Sequence, residues 1–376
     1  MKKIIVILFI LFLTGCYNYK ELNSLDIVSS IGIDYEDNMY DVSVQVLNGK
    51  QSKDSEDSQI IVYDSKGKTI NEALRNMYSK TSKELYRGHI TNLVLSQDVA
   101  KKGIINIIDV FERYTDIRDE MNIMVVKNES AKNTLKVLTS EELVPAEYLN
   151  LAIDNKTKKT GATSSTKLDE FSSNYLKKYI DPVITTVSVK NYKNKGDTID
   201  NITTSDPITK LYVNNIGITH NGKLVDYLNK KETIGYNFIT NKIDNIVVPI
   251  KCNKNSYASI SIINSKTNKK IYKKDNKYII ELKVNSISNI SEYNCSNNIN
   301  NNDSISFIEK KTNKVIRNYM NLALKKQNNT NSEFLGLKRM IYLNNSNYNN
   351  EKFVIKTKVN VRINRKGENK NSIKEK

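Results

Sequence analysis

Cys16 is the residue whose surroundings most clearly indicate chemistry. The chain opens with MKKIIVILFILFLTGC, in which two lysines precede an unbroken apolar run at residues 4–13. The string LTGC then places two small residues directly before the cysteine, which is the pattern of a bacterial lipobox. We therefore expect a diacylglyceryl group on the Cys16 thiol, cleavage of the chain before Cys16, and acylation of the new amino group.

The same segment predicts where the protein resides. The apolar run is too short to span a bilayer, which needs about 20 residues, and no second run after Cys16 is long enough. Two long acyl chains on one residue anchor a protein stably, because each buried CH₂ contributes about 0.8 kcal/mol. We therefore expect a lipid-anchored protein outside the cytoplasm, and nucleic acid is excluded as a partner.

The other residues with catalytic or ligating potential do not form a recognisable site. Cys252 and Cys295 could form a disulfide outside the cytoplasm or remain free thiols. The two histidines, His89 and His220, are isolated, and the carboxylates of residues 112–120 alternate with arginines as in a solvated turn. The sequence contains no glycine-rich phosphate loop and no G-x-S-x-G nucleophile motif. It thus predicts no catalytic residues, no metal site and no cofactor.

Positive charge is concentrated in the second half of the chain. Of 376 residues, 58 are Lys or Arg and 41 are Asp or Glu, which gives a formal net charge of +17. Residues 1–205 hold 27 basic and 28 acidic residues, whereas residues 206–376 hold 31 and 13. Two explanations remain open: an AT-rich codon composition with a solvated basic face, and a functional attraction to an anionic surface or an acidic partner.

Hydrophobic periodicity predicts mixed α and β structure up to about residue 200. Strands are expected where apolar residues alternate, and helices where they recur every three or four residues. The predicted strands cover residues 26–34, 39–47, 59–63, 89–96 and 121–127. The predicted helices cover residues 69–82, 98–114, 130–138 and 167–178.

The pattern changes after a polar stretch at residues 190–206, which is typical of a linker. The elements predicted beyond it are strands at 210–219, 245–251, 256–263 and 278–287, helices at 304–326 and 333–342, and a strand at 353–363. In the last strand apolar residues alternate with Lys356, Lys358 and Arg362, so we expect an antiparallel strand with one face in water.

The fold class is therefore predicted to be α+β with several domains. An N-terminal mixed α/β region is followed by a C-terminal antiparallel sheet with one long helix. The expected division is a signal peptide at 1–15, an N-terminal region at 16–205 that can divide in two, a C-terminal domain at 206–364 and a disordered basic tail at 365–376.

Eight short segments occur in an order that carries information. They are G-C and E-L-N within residues 15–23, G-I-D at 32–34, Y-R-G-H at 86–89, D-I-R at 116–118, V-P-A at 144–146, N-G-K-L-V at 221–225 and E-T-I-G-Y at 232–236. Together they resemble the Ger(x)C family of spore germination lipoproteins, the C subunits of GerA-type nutrient germinant receptors. Two positions depart from the family pattern: Tyr17-Asn18 replaces Trp-Asp, and Asp226 stands where glycine is common.

The resemblance implies a subunit that acts with an A and a B subunit, both integral membrane proteins, at the outer face of the spore's inner membrane. The complex senses nutrients, and the C subunit is expected to be non-enzymatic and to work by contact. Anionic headgroups are a further expected partner. The main alternative is a solute-binding lipoprotein that delivers a small molecule to a transporter, for which two similar α/β lobes would be typical. A membrane-tethered hydrolase is the third interpretation, and it lacks a nucleophile motif.

Overall fold

The structure, a computed structural model, contains two β-sheets with helices packed against them. It describes residues 21–48, 58–192, 196–295, 302–349 and 351–365. The signal peptide, Cys16 and the expected basic tail beyond residue 365 lie outside the described residues.

The described residues form the following elements. The strands are β1 (Leu25–Glu36), β2 (Met39–Leu47), β3 (Ile60–Gly67), β4 (Glu84–Tyr86), β5 (Asn92–Ser96), β6 (Asn122–Lys127), β7 (Val183–Lys190), β8 (Lys210–His220), β9 (Lys223–Tyr227), β10 (Ile246–Lys251), β11 (Tyr257–Lys274), β12 (Lys277–Tyr293) and β13 (Phe353–Arg365). The α-helices are α1 (Ile70–Asn76), α2 (Gln97–Glu112), α3 (Ala131–Lys136), α4 (Pro145–Thr160), α5 (Leu168–Tyr175), α6 (Lys230–Thr240), α7 (Asn302–Thr330) and α8 (Leu337–Asn344).

The first sheet is mixed, with a parallel centre and antiparallel ends. Its strand order is β3-β2-β1-β5-β6-β7-β8-β9, and β4 pairs with the start of β1. The pairs β1/β5, β5/β6 and β6/β7 are parallel. The pairs β1/β2, β2/β3, β7/β8 and β8/β9 are antiparallel. Helix α2 links β5 to β6, and α3 to α5 link β6 to β7, because parallel neighbours need a crossover that returns the chain to the same end.

Helices cover this sheet on both faces. Successive residues of a strand point to opposite sides, so Leu93 and Leu95 of β5 enter one hydrophobic core while Val94 enters another. The first core is closed by α1, α2 and α5, and the second by α3 and α4. Both faces of β5 and β6 are consequently buried, as expected at the parallel centre of a sheet.

The hairpin of β1 and β2 forms as its local sequence predicts. Val42, Val44 and Val46 share one face of β2 and are buried in the first core. The two turn residues, Asp37 and Asn38, have φ of 51° and 61°. Aspartate and asparagine tolerate this left-handed region, which a two-residue hairpin turn requires.

The polar stretch at residues 190–206 does not separate the two sheets. Strands β7 and β8 flank it and pair antiparallel, and β9 then pairs with β8. The boundary expected at residue 205 therefore falls in a connection between neighbouring strands of the first sheet. The buried Asn201 side chain donates to the carbonyls of Leu138 and Thr209, both at 3.0 Å. A polar composition marks a surface connection here, and such a loop is enough to join antiparallel neighbours.

The second sheet has the order β10-β11-β12-β13. Its first three strands are antiparallel, but β13 runs parallel to β12. The predicted antiparallel direction of residues 353–363 is therefore wrong. Helices α7 and α8 lie between β12 and β13 and return the chain to the end where β12 starts. The remaining fold class, α+β with a mixed region first and an antiparallel-rich sheet with a long helix after it, is confirmed.

Candidate functional site

Cys252 and Cys295 lie side by side at one end of the second sheet. Cys252 follows β10, Cys295 follows β12, and their Cα atoms are 5.8 Å apart. Both side chains pack against the core of this sheet. The spacing suits a disulfide, in which Cα atoms lie about 4.4–6.8 Å apart. The pairing stays a prediction, which the masses of linked peptides with and without reductant would check.

His220 belongs to a hydrogen-bond network that joins distant loops. Its Nδ1 lies 3.1 Å from Oδ2 of Asp181, and the other oxygen of Asp181 accepts a hydrogen bond from the Asn221 amide at 3.1 Å. Asp181 also accepts a hydrogen bond from the Glu333 amide at 2.8 Å. The carboxylate of Asp181 thus joins the β8–β9 turn to the loop between α7 and α8, and the histidine packs at this junction.

The part of the chain that the structure describes shows no arrangement typical of metal binding. No three or more His, Cys, Asp or Glu side chains cluster there as metal ligands would. Within the same residues, no helix is both long and apolar enough to cross a membrane. Two residues of the charged run at residues 112–120 form surface ion pairs with residues outside it: Asp116 pairs with Arg87, and Arg113 pairs with Asp109.

Three of the segments that carry the family resemblance meet near the amino-terminal ends of β5 and β6. Arg87 of Y-R-G-H donates two hydrogen bonds to Asp116 of D-I-R, at 2.9 and 3.2 Å. The same guanidinium lies 4.2 Å from the centre of the Tyr114 ring. Asn92, just after Y-R-G-H, donates to the Ala146 carbonyl of V-P-A at 3.0 Å. The segments therefore hold one another in place.

Two clefts flank this meeting point. The larger, about 710 Å³, has three arginines among its lining residues, which are Arg75, Arg87 and Arg113. The smaller, about 450 Å³, is lined in part by Gly88, His89 and Arg118. Its floor is a hydrogen-bonded chain, in which Asn122 donates to Asn150 at 2.6 Å and accepts from Ser165 at 3.0 Å.

The G-I-D segment caps a helix on the second-core side of the first sheet. The Asp34 carboxylate accepts hydrogen bonds from the amides of Ala131 and Lys132 in the first turn of α3, at 2.8 and 2.9 Å. Burial raises the pKa of Asp34, although these two hydrogen bonds lower it. Gly32 leaves room for the helix, because a Cβ there would lie 2.5 Å from Ser43 Oγ and 3.2 Å from Ala131. Packing of α3 on β1 therefore explains this motif.

The E-T-I-G-Y segment starts α6 and lets it approach α7 closely. Glu232 and Asn229 form a capping box, with amide-to-side-chain hydrogen bonds of 3.0 and 2.7 Å. At Gly235 a Cβ would lie 1.9 Å from the carbonyl oxygen of Tyr319 in α7. Only glycine permits that approach. This motif therefore sets how closely α6 and α7 pack on the second sheet. The sequence alone did not predict this role.

The open face of the second sheet carries six of the 31 basic residues that lie beyond residue 205. Helices α6, α7 and α8 pack against the opposite face. We define the basic face as the outward-pointing residues within 264–272 of β11, 279–287 of β12 and 354–362 of β13. Its basic residues are Lys266, Lys270, Lys283, Lys356, Lys358 and Arg362. Residues 264–272 were missed as a strand, because their outward positions are polar and few inward ones are apolar.

Comparisons with known proteins agree with the segments identified above. Residues 18–189 match the family model "Spore germination protein N-terminal domain", and residues 214–367 match "Spore germination B3/ GerAC like, C-terminal". The chain is 25% identical over 350 residues to "Spore germination protein KC" of Bacillus subtilis (strain 168), which covers 90% of this chain and 86% of that protein. It is 21% identical over 347 residues to "Spore germination protein GerQC" of Bacillus cereus, covering 90% of each.

The fold is also similar to a solved structure. The crystal structure of the GerBC protein superposes with a TM-score of 0.54 at 18% identity, covering 89% of this chain and 96% of that chain. At this identity the likeness shows the fold alone. The two family models, in order, cover most of the sequence. The chain therefore belongs to the Ger(x)C family of spore germination proteins.

Proposed function

We propose that this chain is the lipid-anchored C subunit of a nutrient germinant receptor of spores. The observation that carries the proposal is the order of its segments. A lipobox ending at Cys16 is followed directly by both family domains, at residues 18–189 and 214–367. A signal for lipidation and both matched family domains in one chain support such a subunit.

The anchor would hold the folded part close to the bilayer. Strand β1 begins at Leu25, nine residues after Cys16, and a segment of that length spans at most about 30 Å. A lipidated Cys16 would therefore keep the first sheet at the outer face of the spore's inner membrane. A lipid anchor on Cys16 would also confine the chain to the plane of the membrane. Its effective concentration near the A and B subunits, which are integral membrane proteins, would then be higher.

The role is proposed to be contact rather than catalysis. The motif residues of the described chain serve packing and positioning: Asp34 caps α3, Arg87 binds Asp116, and Gly235 admits α7. They hold surfaces in place, which is what a receptor subunit without a reaction of its own needs. Anionic headgroups would be a second partner for the basic half of the chain.

Gene deletion tests this proposal directly. Spores without the chain should lose germination in response to one nutrient class, while spore formation and nutrient-independent germination remain normal. The phenotype should match deletion of either membrane subunit. If spores without the chain still germinate in response to nutrients after all other receptors are removed, the receptor proposal is wrong. The solute-binding alternative would then be tested by small-molecule binding to the purified mature chain.

A substitution at the anchor gives a finer test. Cys16→Ala should release the protein from membranes or leave an uncleaved precursor. Its germination defect should be weaker than that of the deletion, because contact with the A and B subunits partly replaces the anchor. Cys252→Ala is the matched control and should keep normal lipidation. Unchanged membrane partition and processing of Cys16→Ala would contradict the lipidation.

A further inference from the structure

The basic face is an open sheet surface with nearly uniform charge. Along β13 the outward residues from Val354 to Arg362 are exposed, and the residues between them are half-buried or buried. Along β12 the outward residues Lys283 and Ile287 are exposed, whereas Glu281 and Asn285 are half-buried and Ile279 is buried. Among the described residues, the face bears six cations and one carboxylate, Glu281. Such a surface attracts anions and loses this attraction as salt increases.

The pairing register concentrates these charges. Lys283 of β12 lies directly opposite Lys358 of β13, and like charges in this arrangement destabilise a sheet. The single carboxylate of the face, Glu281, lies 2.8 Å from Lys358 and offsets one of the six positive charges. The hydrogen bond and charge of Lys358 lower the pKa of Glu281, to which Lys270 and Lys283 also contribute. Among its described residues, the face therefore keeps a net charge of +5, six cations less one carboxylate.

Apolar side chains are interspersed with the cations. Tyr272, Ile287 and Val354 point outward on the same face and are 38%, 49% and 45% exposed. Lysine and arginine can lay their aliphatic stems on an apolar layer while their charged ends stay in water. A mixture of cations with tyrosine and aliphatic residues matches the chemistry of a membrane interface.

We propose that the basic face docks on an anionic bilayer surface. This inference rests on the proposed lipid anchor, which keeps the chain within reach of headgroups. The centre of the face favours a bilayer over an acidic protein. Protein interfaces are depleted of lysine at their centre and enriched there in aromatic residues, whereas here the centre is the Lys283–Lys358 pair. A bilayer offers many equivalent phosphates and needs no matched pocket.

Vesicle binding by the full mature chain tests the proposal. The Cys16→Ser variant is used without lipid, so that only the protein surface can hold it to the vesicle. It should sediment with vesicles of phosphatidylcholine and phosphatidylglycerol at low salt, but not with phosphatidylcholine alone. The triple variant Lys283→Gln, Lys356→Gln, Arg362→Gln leaves the Lys358–Glu281 pair intact. Its affinity should fall about fivefold for each cation removed.

A second triple variant controls for net charge. Lys101→Gln, Lys159→Gln and Lys223→Gln remove the same charge from exposed positions of the first-sheet region. It should bind anionic vesicles nearly as well as the parent, and circular dichroism should be unchanged for both triple variants. Equal losses in the two triple variants, or no binding by the parent at low salt, would overturn the proposal.

The receptor itself separates the remaining outcomes. If the face variant binds vesicles normally but no longer co-purifies with the A and B subunits, the face contacts an acidic protein and the bilayer proposal is wrong. If vesicle binding fails while gene deletion still abolishes nutrient germination, only the face is misassigned. If vesicle binding follows expectation but deletion has no effect, the receptor function fails and the membrane contact stands.

Discussion

The two sheets differ in how many of their faces are covered. In the first sheet, α1, α2 and α5 close one face and α3 and α4 close the other. A polar side chain such as Gln45 on the second-core side is fully buried. In the second sheet, the helices of the described part of the chain pack against one face, and alternate residues of β10 and β13 are exposed.

This difference decides where charge can accumulate. A sheet buried on both faces excludes unpaired charges, because burying one without a partner is costly. An open face tolerates them. The six cations of the basic face occupy such positions on the second sheet. Codon composition could supply the lysines, but the architecture determines which positions accept them.

The largest expected effect tests the single helical layer of the second sheet. Gly235→Ala would place a Cβ 1.9 Å from the Tyr319 carbonyl oxygen and force α6 away from α7. We expect the free energy of unfolding to fall by about 3 kcal/mol, measured by chemical denaturation. Lys231→Ala, at an exposed position of the same helix, is the control and should change it by less than about 0.5 kcal/mol. Equal stability of the two variants would mean that the helices do not cross this closely.

The next effect tests the second covered face of the first sheet. Gln45 donates to the Leu135 carbonyl at 2.6 Å and accepts from Ser29 Oγ at 2.8 Å. Gln45→Ala would leave buried groups without partners, so we expect a loss of about 1–3 kcal/mol. Gln45→Glu should be worse, because it buries a charge and puts an acceptor opposite the carbonyl. A variant as stable as the parent would show that α3 does not close this face.

The sequence predicted the elements whose own pattern defines them. The β1–β2 hairpin is predicted because two apolar strand patterns, at residues 26–34 and 39–47, lie on either side of a short polar stretch, and α7 because its apolar stripe recurs at helical spacing. Helix α4 was missed, since its fully buried apolar residues are few and its last two turns are polar. Strand β11 was truncated at residue 263, because the lysines and asparagines that follow hide the alternation. The ladder with β12, a long-range contact, defines the rest of that strand.

Contacts between distant parts of the chain could not be predicted from the sequence, because local patterns do not show which elements become neighbours. The alternation of apolar and polar residues shows that one face of β13 is exposed to water. The same alternation occurs whether the neighbouring strand is parallel or antiparallel. The meeting of Arg87 with Asp116 needs the crossover of α2. The anchor at Cys16, by contrast, was predicted from local spacing alone and stays a prediction, since it lies outside the described residues.

A smaller effect tests the contact between the two regions. Asp226 of β9 forms an ion pair with Lys326 of α7 at 2.6 Å. Burial raises the pKa of Asp226, but the hydrogen bonds from Lys326 and the Tyr227 amide outweigh it, so the pKa lies below its usual 3.8. Asp226→Asn keeps the hydrogen-bond acceptor and removes the charge. We expect a loss of about 0.5 kcal/mol at neutral pH, because the pair is partly exposed.

The pH dependence of this loss has a definite sign. A carboxyl with a lowered pKa stabilises the fold above its unfolded pKa, and the contribution disappears as the pH falls through the folded pKa. The parent and Asp226→Asn should therefore differ above pH 3.8 and converge below it. Denaturation curves at several pH values check this. A difference that persists at low pH would assign the effect to the side-chain hydrogen bonds instead of the charge.

The smallest expected effect completes the comparison between the faces. Lys283→Ala removes an outward side chain from β12 that lies opposite Lys358. The free energy of unfolding should stay within about 0.5 kcal/mol of the parent and should rise slightly at low salt, because a like-charge pair is relieved. High salt should erase the difference, since screening weakens exposed charges. A loss as large as that of Gln45→Ala would mean that the face is covered in the intact protein. A lysine whose removal leaves the fold unharmed, yet weakens vesicle binding, would be kept for its contact with an anionic surface.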